Sequence, residues 1–344
     1  MTGWALAPHV VTWEITRACQ LHCRHCRAKA LPRRDPNELT LDEMLPVLDD
    51  LQHGFDHAPI LVLTGGDPLE RPDLSEIITR AVSRNLTVAV APSVTPRLNM
   101  AVIRHWKDLG VHAISLSMDG AEAAIHDGFR GVSGTFHRTL ELADYIVEQG
   151  IALQINSSIS QQTVHQFQQM AEMVRFLGVT SWEVFFVIPT GRAQLKDALS
   201  AAEMENALRW LAEWSSDQMF RVTTVGAPQW SRILHERYPD VPARVIAREA
   251  RGFAFINHQG LVYPSGYLPV SAGDVRVTPF SEIYQHSPLF QTLRDPDLLA
   301  GVCGQCDYRV ACGGSRARAY AVTNHLTADD PGCPQTIATS LNPY

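Results

Sequence analysis

Six short apolar, β-branched runs, at residues 10–15, 60–63, 87–91, 113–117, 152–156 and 183–188, alternate with amphipathic stretches at 41–52, 74–84, 100–109, 139–149, 164–177 and 201–214. This alternation leaves few folds open. Parallel strands must be joined by crossover connections, these are right-handed, and they lay helices against the sheet. The runs are near-continuously apolar, as expected of strands covered on both faces. Three amphipathic stretches close on Leu109-Gly110, Gln149-Gly150 and Leu177-Gly178, where glycine is a helix-stop signal. A closed eight-fold barrel takes about 250 residues. Six units therefore predict an α/β fold built as an open, partial (β/α)6 TIM-like barrel, with a lateral mouth for a large substrate. A doubly wound open sheet is the competing topology.

The pattern changes after about residue 220. Runs at 253–257 and 261–263 flank His258-Gln259-Gly260 and read as a β-hairpin. A segment rich in Gly, Pro and Cys follows, with a short helix expected near 280–286. The expected division is a barrel over residues 1–222 and a small C-terminal domain over 223–344. With 344 residues, 45% of them apolar, the chain can bury a core of that size. Its formal charge of −7 gives no electrostatic reason to expect nucleic acid as a partner. No apolar run approaches the roughly 18 residues needed to span a bilayer, and no cationic-then-apolar secretory signal is visible at the N-terminus. The expectation is a cytoplasmic protein with no membrane segment. Thiols stay reduced in that compartment, so clustered cysteines point to metal rather than disulfides.

The seven cysteines are unevenly placed: three between 19 and 26, four between 303 and 333, none between the two groups. Buried structural cysteines would scatter along the chain, so the clustering argues for two metal sites. Cys19-x3-Cys23-x2-Cys26 directly follows the first expected strand. It sits on a loop at that strand's carboxyl end, where parallel β/α folds build their active sites. Three thiolates can hold three irons of a cubane and leave the fourth open to a substrate or cosubstrate. A zinc site using these cysteines with His22 or His25 is the alternative.

The C-x3-C-x2-C spacing resembles the signature of the radical S-adenosylmethionine (SAM) superfamily. The resemblance implies a catalytic [4Fe–4S] cluster on Cys19, Cys23 and Cys26, with SAM at the open iron. His25 stands where that superfamily usually has an aromatic residue, and an imidazole can also pack on an adenine. Thr64-Gly65-Gly66-Asp67-Pro68 is similar to the family's Gly-Gly-Glu-Pro segment, whose backbone and carboxylate receive the methionine ammonium of SAM. By itself that segment also reads as an ordinary turn. Ser117 and Asp119, at the end of the fourth strand, are implied ribose contacts, a capping Asp being the plainer reading. Arg130, in Asp127-Gly-Phe-Arg130-Gly131, resembles the family arginine that reaches the SAM carboxylate, a contact suited to a guanidinium. Asn156, at the end of the fifth strand, is implied in the same ribose or carboxylate contacts.

At the other end, Cys303-x2-Cys306-x5-Cys312 is followed by Gly313-Gly314-Ser315-Arg316 and, later, Cys333. This resembles the SPASM/Twitch extension, which carries auxiliary [4Fe–4S] clusters. Ser265 and Arg316 stand where two-cluster members have ligands of an inner cluster. The resemblance therefore implies one auxiliary cluster, on Cys303, Cys306, Cys312 and Cys333, and two clusters in all. Four-cysteine zinc is the alternative. Arg316 is a candidate to face the vacated volume and bind a substrate carboxylate, or else to pair with an acid such as Asp307. The stretch from Ser265 to Tyr320 resembles the branch of heme d1 and alternative-heme enzymes that remodel tetrapyrrole side chains, close to maturases of ribosomally made peptides. The implied activity is reductive cleavage of SAM to a 5′-deoxyadenosyl radical and hydrogen abstraction from a substrate. A tetrapyrrole is favoured and a peptide is the alternative, with a reductase, flavodoxin or ferredoxin as electron donor. A non-catalytic iron–sulfur or zinc scaffold is the reading from another class.

Overall fold

The computed structural model describes residues 6–243 and 247–336. Seven strands follow one another in space as in sequence: β1 (Val10–Glu14), β2 (Ile60–Thr64), β3 (Val88–Val90), β4 (Ala113–Ser117), β5 (Ala152–Ile159), β6 (Ser181–Phe186) and β7 (Arg221–Val225). Each pairs in parallel with the next. A doubly wound sheet would reverse its strand order at a switch point. The unbroken order supports the partial barrel instead. Helices α1 (Leu41–His53), α2 (Leu74–Val82), α3 (Met100–Asp108), α4 (Ala123–Arg130), α5 (Thr135–Glu148), α6 (Phe167–Phe176) and α7 (Ala201–Trp214) make the crossovers. Thr40 with Glu43, and Ser200 with Glu203, form capping boxes that start α1 and α7. Gly110, Gly150 and Gly178 all take the left-handed φ expected of helix-closing glycines.

Two features differ from the sequence expectation. The strand β7 adds a seventh unit, and the 222/223 division falls inside it. Its sequence, Arg-Val-Thr-Thr-Val, is only partly buried and pairs on one side, so it lacks the apolar run that marks an interior strand. The second difference is that burial alternates along the strands. Leu153 and Ile155 of β5, and Trp182 and Val184 of β6, are fully buried against the helices, with Met170 and Val174 of α6 and Leu211 of α7 in the same core. Gln154, Asn156, Glu183 and Phe185 occupy the opposite, half-buried face. That inner face is half-buried, and Tyr267 packs on Phe185 there.

The C-terminal part continues the same sheet. The expected hairpin is β9 (Gly252–Ile256) and β10 (Leu261–Tyr263), preceded by α8 (Gln229–Arg237) and β8 (Arg248–Glu249) and followed by β11 (Gly273–Asp274). The strand β9 pairs in parallel with β1, Val10 opposite Phe253, so the hairpin extends the sheet beyond its first strand. The short helix at the expected place, α9 (Phe280–His286), is fastened to α1 by Asp50, which accepts from Ser281 N and Oγ at 2.7 Å each. Beyond it lie α10 (Pro288–Arg294), α11 (Gly301–Gln305) and α12 (Arg316–Thr323). Among the described residues, no helix is long and apolar enough to cross a membrane.

Candidate active site and auxiliary cysteine site

The loop after β1 carries the first three cysteines at the carboxyl end of the sheet. Cys19 N donates to Leu31 O (2.8 Å) and Leu31 N to Arg17 O (2.9 Å), which closes the loop on itself. The sulfurs of Cys19 and Cys23 are buried with Leu21, and Cys26 packs against them. Neighbouring strand ends brace the loop from outside. Gly66 N donates to Thr16 O (2.8 Å) and Asp67 N to Ala18 O (2.7 Å). A Cβ at Gly66 would sit 2.4 Å from Ala18 O, so close backbone approach to this loop explains the glycine. After β6, Arg192 donates from its backbone N to Cys26 O (3.0 Å), and its guanidinium reaches Cys23 O (3.2 Å) and Ala30 O (2.7 Å).

Burial pushes the Cys19 thiol up to about 11, and it raises Cys23 too, against the opposing charge of Arg130. A bound cation is what would hold such thiols as thiolates. Among the described residues, no three His, Cys, Asp or Glu side chains meet closely enough for a single metal ion. Three free thiols on one loop suit a multinuclear iron–sulfur group.

Arg130, Asp119, Asp67 and His25 gather around this loop, with partners the sequence did not disclose, whereas Asn156 lies inside β5, which runs three residues past it to Ile159, and not at the strand end expected. Arg130, the last residue of α4, forms an ion pair with the fully buried Asp119 and approaches Cys23 Sγ at 3.7 Å. Asp119 Oδ1 also accepts from Ser158 N (2.7 Å). Asp67 is fully buried, and its oxygens accept from Leu69 N (3.2 Å), Ser93 N (3.4 Å) and Thr95 Oγ1 (2.9 Å). Burial lifts its pKa to about 6. His25 is stacked on Phe129 at 4.2 Å, and desolvation lowers it to about 4, so the imidazole is neutral. Ser117, Asn156, Glu183 and Thr223 are register neighbours across β4, β5, β6 and β7, a polar row on the inner face. Burial raises the Glu183 carboxyl, with Arg221 opposing. Sequence reasoning missed Ser93, whose Oγ lies 3.4 Å from Cys19 Sγ and donates to Gly66 O (2.8 Å). Its place just beyond β3 was the available signal.

At the second site, Cys303, Cys306, Cys312 and Cys333 line one cavity together with Arg232, Tyr308 and the Gly313-Gly314 backbone. Burial raises Cys303 to about 11 and Cys312 to about 12. Arg316 corrects the sequence expectation. It neither faces an open volume nor pairs with Asp307. Its exposure is 0%, and it donates to Ala328 O (2.6 Å), Leu326 O (3.1 Å), Gly314 O (3.3 Å) and Cys303 Sγ (3.9 Å). As the first residue of α12, it is carried inward with the helix start, where a substrate carboxylate has no access.

The thiol triplet thus lies at the carboxyl end of the first strand of a parallel β/α sheet, and the second thiol set lies in the C-terminal part. Residues 13–174 match the Radical SAM superfamily, and the chain belongs to that superfamily. It is 35% identical over 345 residues to the AdoMet-dependent heme synthase of Methanosarcina barkeri, covering 97% of this chain and 98% of the relative. It is 28% identical over 359 residues to the pre-heme d1 synthase of Dinoroseobacter shibae, covering 96% and 87%. In fold it is similar to Streptococcus suis SuiB bound to S-adenosylmethionine, with a TM-score of 0.76 at 15% identity over 96% of this chain and 78% of that one. The protein is thus a radical SAM enzyme, which implies SAM and a [4Fe–4S] cluster.

Proposed function

We propose that the enzyme remodels a tetrapyrrole side chain and carries two clusters. The observation that carries this reading is the end-to-end similarity to an AdoMet-dependent heme synthase, at 97% of this chain and 98% of the relative. Cys19, Cys23 and Cys26 would hold the first cluster, and Cys303, Cys306, Cys312 and Cys333 the second. With SAM bound, the first cluster would supply the one-electron reductive chemistry through which hydrogen is removed from an unactivated carbon.

The chain's own residues orient the reactants and keep water out. Arg130 is the guanidinium for the SAM carboxylate, shared with Asp119. Ser117 and Asn156 of the polar inner row, with Asp119 just past β4, lie beside the ribose, and His25 offers a neutral ring to the adenine. Because the Asp67 carboxylate is taken up by Leu69, Ser93 and Thr95, it shapes the Gly65-Gly66 turn, and the carbonyls beside it receive the methionine ammonium. The inner face of the sheet behind, with Glu183 and Phe185, receives the substrate. A flavodoxin, ferredoxin or reductase supplies the electron.

The reading is tested by anaerobic reconstitution followed by incubation with SAM, a reductant and either a carboxylate-bearing iron porphyrin or an acidic peptide. A porphyrin-dependent rise in 5′-deoxyadenosine with a change in porphyrin mass is the expected result. A peptide is the second reading, favoured by the fold shared with SuiB, which has also been solved bound to precursor peptide SuiA. Stimulation by peptide alone overturns the first reading.

A further inference from the structure

Two buried guanidinium groups, Arg316 and Arg248, lie beside the C-terminal thiols, with Asp329 and Asp330 also close by. Arg316 is fully buried, yet among the described residues its hydrogen bonds go to three carbonyls and to Cys303 Sγ, none to a carboxylate. Arg248 is 8% exposed, donates to Gly314 O at 3.3 Å, and has a buried Nε with no hydrogen-bond partner. The hydrogen bonds of the nearby acids go to other donors. Asp330 receives Arg318 (3.1 Å), Gln229 (2.8 Å) and Ser315 N (2.7 Å), while Glu249 receives Ser315 Oγ (3.2 Å) and Ala317 N (3.1 Å). Asp330 and Glu249 lie close enough to feel these two guanidinium charges, but neither accepts a hydrogen bond from them, so an anionic group held by the thiols would give each buried head a direct partner.

Local backbone lets them approach it. Gly313 and Gly314 both take left-handed φ, +61° and +68°. A Cβ at Gly313 would lie 2.7 Å from Arg248 Nη2, and one at Gly314 would lie 2.5 Å from Arg316 Nη2 and 3.2 Å from Cys303 Sγ. The pair of glycines after Cys312 thus opens room for two guanidinium heads beside the thiols. The occupant proposed above, a four-iron cluster on four thiolates, is a dianion when oxidised and gains another negative charge on reduction. Cations within a low-dielectric pocket favour the reduced form, and hydrogen bonds to ligand sulfur act in the same direction.

We infer that Arg316 and Arg248 are positioning residues that raise the reduction potential of the auxiliary cluster, fitting it to accept one electron from the substrate radical. The balance is one electron and one proton: the neutral substrate radical gives an electron to the cluster, which is reduced by one, and a proton to solvent, leaving a closed-shell product with a new double bond. The inference rests on the cluster assignment made under the proposed function.

The test uses the full-length chain with Cys19, Cys23 and Cys26 changed to Ala, so that only the auxiliary cluster remains, titrated potentiometrically and read by electron paramagnetic resonance. In that background Arg316→Gln and Arg248→Gln are each expected to keep their iron. Each is expected to shift the one-electron reduction equilibrium about tenfold toward the oxidised form, a drop of ~59 mV. Arg316→Lys, which keeps the charge, is expected to restore most of the shift. Unchanged midpoints with the cluster in place overturn the inference. So does loss of iron in Arg316→Gln, Arg248→Gln and Arg316→Lys alike, because the arginines would then serve only to hold the pocket's shape. A parent chain that holds zinc and no iron at this site refutes the cluster assignment itself, a result distinguishable from either.

Discussion

Arg130 is ion-paired to the buried carboxylate of Asp119 while its other terminal nitrogen lies 3.7 Å from Cys23 Sγ. One side chain at the end of α4 thereby joins the carboxyl end of β4 to the cysteine loop. The backbone repeats the link, since His22 N donates to Arg130 O (3.1 Å) and Arg24 N to Phe129 O (3.0 Å). The sequence placed both residues near SAM. The structure adds that each is the other's counterion before any ligand arrives.

Removing one member of a buried pair leaves an uncompensated charge, at a cost of about 3–5 kcal/mol. Arg130→Ala is therefore expected to destabilise the apo chain by about 3 kcal/mol. Combining it with Asp119→Asn is expected to cost less than the sum of the single changes. Denaturant titrations of the two single variants and the double variant give the coupling, expected to exceed about 1 kcal/mol. Additive costs would mean that the pair contributes nothing.

Gly66→Ala probes the brace on the cysteine loop. The added methyl would meet Ala18 O at 2.4 Å and Arg17 O at 2.7 Å, both backbone atoms, so the loop must move. The variant is expected to lose the first cluster and keep the second, about four irons per chain where the parent has about eight. An unchanged iron content would show that the loop tolerates the change.

Changing Cys19, Cys23 and Cys26 together to Ala is expected to abolish 5′-deoxyadenosine formation from SAM and dithionite. The second thiol set is remote in sequence and lines its own cavity, so its iron should remain. Continued SAM cleavage in this variant would sink the assignment of the catalytic cluster.

Acid sensitivity is expected from Glu14, the last residue of β1. Burial alone would raise its carboxyl, but Arg27 at 2.8 Å and His258 at 2.9 Å hold it below its ordinary 4.5. A depressed acid contributes stability that is present above its unfolded value and lost as pH falls through its folded value. The contribution is thus intact above about pH 4.5 and fades below it, and each tenfold difference in proton affinity between the folded and unfolded chains is worth about 1.4 kcal/mol. Glu14→Gln should make unfolding midpoints depend less on pH between 5 and 3 than in the parent, as read by urea titration. An identical acid limb in both proteins would assign the sensitivity to other groups.

What the sequence determined is what local pattern can report. Apolar runs separated by amphipathic stretches fix β/α units, glycines close the helices, and a cysteine triplet just past the first run lands at a strand's carboxyl end. The second thiol set was equally legible, because Cys303, Cys306 and Cys312 lie within a few residues of one another. Tertiary structure alone decided the rest. β7 is an edge strand with polar residues, so no apolar run announced it. β9 joins β1 across almost the whole chain, a pairing that periodicity cannot encode because it records how buried a residue is and not against what. The same limit hid the Asp119–Arg130 pair and the burial of Arg316. A charged side chain reads as exposed in a sequence, and only the assembled fold supplies the carbonyls and the thiol that draw Arg316 inside.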